Sequence, residues 1–154
     1  MPLDDALRSD LEQAALPHLV SLAGHVVSRT WDRLASSQHG LSAAGVNVLM
    51  VLTRGEATHR EIARRCWVHP STLTGVVDNL ERDGLVSRRR SEQDRRQVRL
   101  ALTPAGEQAI RAVGEDIRAR FPPTATERDE AALAAVRTYL IELITQHHGE
   151  EPAR

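Results

Sequence analysis

The strongest constraint on this chain is a change of period at Gly84. Apolar residues recur at helical spacing before it and alternate after it. Ile62 and Ala63 form the apolar side of a short helix, which Thr58 can cap by accepting a free backbone N–H. A turn through Trp67, Val68 and His69 follows. Pro70 then opens a second helix, at the position where a missing N–H is harmless. There Leu73, Val76, Val77 and Leu80 define one buried face. Ser71, Thr72, Thr74, Gly75, Asp78, Asn79 and Arg82 fall on or near the other. Gly84 ends the helix, since glycine accepts the left-handed conformation of a helix stop. Leu85–Arg88 and Val98–Leu102 read as two short strands, and Arg89–Gln97 between them is too polar and charged to bury.

Two helices at a tight turn, followed by a hairpin with an arginine-loaded tip, make a winged helix-turn-helix. Such a unit lays its second helix in the DNA major groove. The wing then reaches the backbone or the adjacent minor groove, whose negative potential favours arginine. Charge is distributed accordingly. From Thr58 to Thr103 there are ten Arg and six acidic residues, net +4. The remainder holds ten Arg and fifteen acids, net −5, which together give the chain's −1. A basic reader on an acidic body is the footprint of a DNA-binding module. A solvated charged face is the plainer alternative.

The run PSTLTGVVDNLERDGLV, followed by DRRQVRLALTPAG, resembles the MarR family of bacterial transcriptional regulators. The helix, the DRR at the wing tip and the LTPAG entry to the next helix stand at that family's spacing, and the dense match covers about 46 residues. By this resemblance Asp94 orients Arg96, which enters the minor groove. Ser71, Thr72, Thr74 and Gly75 stand at the start of the recognition helix, facing bases and phosphates. With Asn79, Arg82, Arg88, Arg89, Arg90 and Arg95 they complete the set expected to meet DNA. Gly75 leaves a spot without a side chain on that helix.

The flanking segments read as helices. Leu3, Leu7, Leu11 and Ala14 mark a first amphipathic segment, Pro17 breaks or starts a helix, and a longer helix runs from His18 to about Ser37. Ser42 can cap a helix carrying Val46, Leu49, Met50 and Leu52, with Arg54–Ala57 as the turn that follows. Thr103 and Pro104 open a helix to about Arg120, Pro122 and Pro123 stop it, and a last helix runs from near Thr126 to about His147. The expected fold is mainly α with a small β-hairpin wing, in one domain of 154 residues. Residues 42–103 form its winged helix-turn-helix, and 1–41 and 104–148 its dimerisation helices. The terminal helices carry more apolar surface than one small winged helix covers, which calls for a two-fold dimer. In the family these helices interleave between two chains. The operator is then a pseudo-palindrome in double-stranded DNA, with half-sites about 10 bp apart.

Many MarR-type proteins bind a small anionic or phenolic effector between the dimer helices and the reading head. Here His25, Arg29, Trp31, Arg33 and His39 lie on the bordering segments. Arginine suits a carboxylate and Trp offers a stacking face. Equally, Trp31 is packing and the arginines are solvated. Cys66 has Arg64, Arg65 and His69 nearby, which can lower a thiol pKa. The family's peroxide-sensing branch, however, carries its cysteine in the first helix, so Cys66 reads better as a small buried residue. His59, Cys66 and His69, or His18 and His25 with His39, His147 or His148, do not amount to a closed tetrahedral site, and no metal is expected. No phosphate loop, GxSxG or HExxH motif occurs, so neither catalysis nor a cofactor is expected. The chain has no 18-residue apolar run and no signal pattern at its N-terminus, so a cytoplasmic protein without membrane contact is expected. The alternative function is a winged-helix protein-interaction module without specific DNA readout, which has no need of so many arginines on the wing.

Overall fold

A computed structural model of the chain describes residues 4–90 and 97–147. It comprises α1 (Asp5–Gln13), α2 (Leu16–His39), α3 (Ala43–Leu52), β1 (Ala57–Thr58), α4 (His59–Arg65), α5 (Pro70–Arg82), β2 (Val86–Arg90), β3 (Val98–Leu102), α6 (Pro104–Arg120), α7 (Ala125–Arg128) and α8 (Glu130–Gln146). The chain divides into two compact units, Met1–Ile117 and Arg118–Arg154.

In the first unit α3 is the centre of the core. Val46, Val48, Leu49 and Leu52 are all buried, so this helix is covered on several sides. Ser42 caps it by accepting the Gly45 N–H at 3.0 Å. Around α3 pack Ile62 and Ala63 of α4, Leu73, Val77 and Leu80 of α5, Val86 and Leu100 of the sheet, and Val113 of α6. Val76 is only half-buried, at the margin of the face assigned to it. The sheet is antiparallel in the order β1-β3-β2, with Val86 opposite Leu102, Arg90 opposite Val98 and Ala57 opposite Leu100.

Three boundaries differ from the sequence reading. Ala57, read as the end of a turn, instead joins the capping Thr58 in an edge strand, because β3 supplies backbone partners that two residues cannot announce by pattern. Arg89 and Arg90 lie in β2, not in the loop, since ladder pairing with Arg99 and Val98 outweighs their polarity. The last helix is divided: Thr124 and Glu127 form a capping box on α7, and Asp129 caps α8 by accepting the N–H groups of Ala131 and Ala132. In this second unit Leu133, Leu140 and Leu143 are half-buried, while Val136, Ile141 and Ile144 are exposed.

One residue fastens the reading head to α6. The Thr103 hydroxyl donates to the Gly84 carbonyl at 2.6 Å and accepts the Gly106 N–H at 3.0 Å, while the Thr103 N–H donates to Leu85 O. The end of α5, the base of the hairpin and the start of α6 thus meet at one side chain. Gly106 packs so closely there that a Cβ would stand 2.0 Å from the Leu85 carbonyl oxygen.

Candidate nucleic-acid interface

The interface is built on α4 and α5. The Glu61 carboxylate accepts the Thr58 N–H at 2.7 Å, and the Thr58 hydroxyl accepts the Glu61 N–H at 3.3 Å, a reciprocal cap. The hydrogen bond from the Thr58 backbone, then that from its hydroxyl, holds Glu61 below the usual carboxylate range. After α4 the chain turns through Trp67, whose φ is 58°, and His69 caps α5. His69 Nδ1 accepts the Ser71 N–H at 3.3 Å and lies 2.7 Å from Ser71 Oγ. Since Nδ1 is already an acceptor, the Ser71 hydroxyl is the donor of that second bond.

Leu73, Val77 and Leu80 are buried, which turns Ser71, Thr72, Thr74, Gly75, Asn79 and Arg82 outward together. Thr72, Thr74 and Asn79 present hydroxyl and amide groups of the kind that read base edges and phosphates. No atom lies within 4 Å of a Cβ built on Gly75, so a side chain is tolerated there by the protein itself. Arg82, at the far end of α5, is open to solvent.

On the wing, Arg88 is engaged by both Asp78 and Glu81, each at 2.5 Å. This guanidinium, one of those expected to contact DNA, ties β2 to the recognition helix. Arg89 stands 3.6 Å from Glu56, and Arg90 is exposed at the end of β2. Asp94, Arg95 and Arg96 lie outside the described residues. Arg99, which sequence reasoning passed over, donates to the Glu56 carbonyl at 2.9 Å and lies 3.7 Å from Glu61. It holds β3 against the start of α4. Asp78 and Glu81 were likewise missed as wing anchors. Their spacing of three on the exposed face of an arginine-facing helix was the available signal.

The residues expected to meet an effector lie on or at the end of α2 in differing surroundings. His25, Arg29 and Arg33 are exposed, and His39 pairs with Asp116 at 2.8 Å, joining the end of α2 to α6. Trp31 borders a cavity of about 190 Å3 between α2, α3 and α6, with Val27, Asp32, Val46, Asn47 and Val113. The Trp31 indole N–H is buried without a hydrogen-bond partner. Cys66 is half-buried beside the core, and burial pushes its thiol pKa up, away from a reactive thiolate. Among the described residues no three His, Cys, Asp or Glu side chains gather as metal ligands, and no helix is long and apolar enough to cross a membrane.

Comparison with known proteins follows the same outline. A model of the MarR family matches residues 46–98. The HTH-type transcriptional repressor YetL of Bacillus subtilis (strain 168) is 41% identical over 71 residues, which cover 44% of this chain and 42% of YetL. This chain therefore spans less than half of that relative. The HTH-type transcriptional repressor MdtR of the same organism is 32% identical over 107 residues, covering 67% of this chain and 69% of MdtR. Among solved structures, CouR from Rhodococcus jostii RHA1 bound to p-coumaroyl-CoA superposes with a TM-score of 0.74 at 23% identity, covering 86% of this chain and 93% of CouR. At that identity the likeness is one of fold.

Proposed function

The chain belongs to the MarR family of transcriptional regulators, and on that premise we propose a homodimeric repressor, released from a pseudo-palindromic operator by a small phenolic effector. The observation that carries this reading is an α5 with its polar face outward, beside a wing clamped to it through Arg88. A recognition helix and a wing held at one angle fit a major groove and its flanking minor groove together. Repression is the role named for YetL and MdtR. Association is supported by apolar side chains left exposed on both units: Leu16, Leu22 and Val26 on α2, and Val136, Ile141 and Ile144 on α8. Exposed apolar area of this kind is commonly covered by a second copy in a self-complementary pair.

In the cavity beside Trp31 the phenolic alternative fits better than the anionic one. Asp32 lines the cavity and would repel a carboxylate, and no arginine is among its lining residues. A phenol hydroxyl can donate to Asp32 and accept from the unpartnered indole N–H. CouR, solved with the thioester of a phenolic acid, shares the fold. Effector binding acts by favouring a spacing of the two heads that no longer fits both half-sites.

The test is a gel shift with the duplex upstream of the protein's own gene, titrated in salt, with random duplex as competitor. Tight, competitor-resistant and steeply salt-dependent binding is expected. By the family plan Arg96 enters the minor groove, and Arg96→Ala should lose most specific affinity while the fold persists. Wild-type affinity in that variant removes the wing role. Binding no stronger than to random duplex removes autoregulation, and no binding to any duplex leaves a protein-docking winged helix.

A further inference from the structure

We propose that a groove between the base of the wing and the start of α6 is a second ligand site, for a zwitterion with an apolar body. An aliphatic amino acid and a short peptide of such residues share that chemistry. The regulatory part of this inference rests on the DNA-reading function proposed above, whereas binding itself does not. The groove measures about 760 Å3, within the roughly 300–1,000 Å3 of small-molecule sites. Its lining comes from the end of α3, the segment before β1, the hairpin and the start of α6. No residue lines both this groove and the cavity beside Trp31. Leu52, Ala101, Leu102, Pro104 and Ile110 give it an apolar surface. Charge stands in two places along it, Glu56 with Arg89 at the sheet and Glu107 with Arg111 on α6.

Two acids and two arginines leave the groove without net charge, so a simple anion or cation meets as much repulsion as attraction. A molecule carrying both signs gains from both. Arg89 stands 3.6 Å from Glu56 and Arg111 3.7 Å from Glu107, each too far for a hydrogen bond. Arg88, by contrast, is held by both of its partners, and Arg99 donates to a carbonyl. Guanidinium N–H groups and carboxylate oxygens therefore stand side by side in the groove. The first can take a ligand carboxylate and the second a ligand ammonium by charge-assisted hydrogen bonds. Exposed pairs this loose cost little to rearrange. An aliphatic body held between the charges would cover Leu102 and Ile110 and leave water with them. Ser87 lies opposite Ala101 in the ladder, on the same face of the sheet, and its hydroxyl is buried without a partner among the described residues. Such an orphan is the mark of a site that a bound molecule or water completes. Arg89 belongs to the wing and is one of the arginines expected to meet DNA. A ligand carboxylate that takes Arg89 withdraws it from phosphate, so occupancy lowers affinity for DNA.

The probes are L-leucine and trileucine, titrated calorimetrically into the full chain without DNA. The tighter binder identifies the source, since the amino acid engages one arginine–glutamate pair and the peptide reaches both. Acetylating the ammonium or amidating the carboxylate of that binder should each weaken it by about tenfold or more, the worth of one charge-assisted hydrogen bond. Arg111→Gln should weaken it to a similar degree, while the unfolding midpoint and the ligand-free affinity for DNA stay at the parent's. Saturating ligand should weaken binding to the duplex upstream of the protein's own gene by about fivefold or more. Failure of both probes to bind overturns the site. Binding that survives acetylation and amidation, or that is undiminished in Arg111→Gln, overturns it as well. Ligand binding that leaves duplex affinity unaltered overturns the regulatory role. A chain that binds ligand but no duplex overturns the DNA function proposed above and leaves the binding site standing.

Discussion

At the scale of single residues, three glycines do three different jobs. Gly84 is needed for its left-handed backbone, and Gly106 for the absence of a Cβ against Leu85 O. Gly75 is required by neither. Gly106→Ala is expected to destabilise the chain at or above the upper end of the ~1–3 kcal/mol typical of overpacking, because the obstacle is a backbone carbonyl that cannot rotate away. Gly75→Ala, in the open interior of α5, should instead stabilise by about 0.5–1 kcal/mol through helix propensity. Chemical denaturation measures both. If DNA approaches α5 closely at that point, Gly75→Ala will also weaken operator binding while the protein becomes more stable. A variant that gains stability and keeps its affinity shows that the groove wall stands farther off.

At the scale of elements, the cap on α4 and the clamp on the wing differ in what they contribute. Thr58→Ala removes one half of a reciprocal cap, an effect of about 1 kcal/mol at neutral pH. Its hydrogen bonds to Glu61 lower the Glu61 pKa in the folded chain. This stabilisation is therefore complete above the ordinary glutamate pKa and is lost as the pH falls through the lowered folded value. The gap in denaturation midpoint between Thr58→Ala and the parent should accordingly narrow in part in acid, and a gap independent of pH would contradict the bond from the Thr58 hydroxyl to the Glu61 carboxylate. The clamp behaves otherwise. Arg88, Asp78 and Glu81 are each more than a third exposed, so the ion pairs are screened and Arg88→Ala should alter stability by less than about 1 kcal/mol. Its consequence is orientational. With the wing no longer tied to α5, operator affinity should fall well beyond that figure's worth, and a loss confined to it would place Arg88 outside the reading geometry.

At the scale of the whole molecule, the exposed aliphatic side chains of α2 and α8 are the open question that association answers. Ile141→Glu/Ile144→Glu sets two charges where the dimer reading needs apolar contact. Sedimentation should show a monomer, and the salt slope of DNA binding should drop by about half, since one head contacts half the phosphates. A double variant that still sediments as the parent does would move the interface away from α8.

The period change at Gly84, the cap at Thr58, the start at Pro70 and the LTPAG entry were legible in the sequence because each depends on neighbours within a few residues. The winged helix-turn-helix, its outward polar face and its family followed from them. Other features depended on segments far apart in the chain. β1 exists only because β3 offers it a ladder. The hold of Asp78 and Glu81 on Arg88 joins two elements that no local pattern links. The pairing of His39 with Asp116, distant in sequence, is likewise absent from any local pattern. Local hydrogen bonding and periodicity are written in consecutive residues, whereas the partner of a long polar side chain is chosen by whatever the fold brings alongside it.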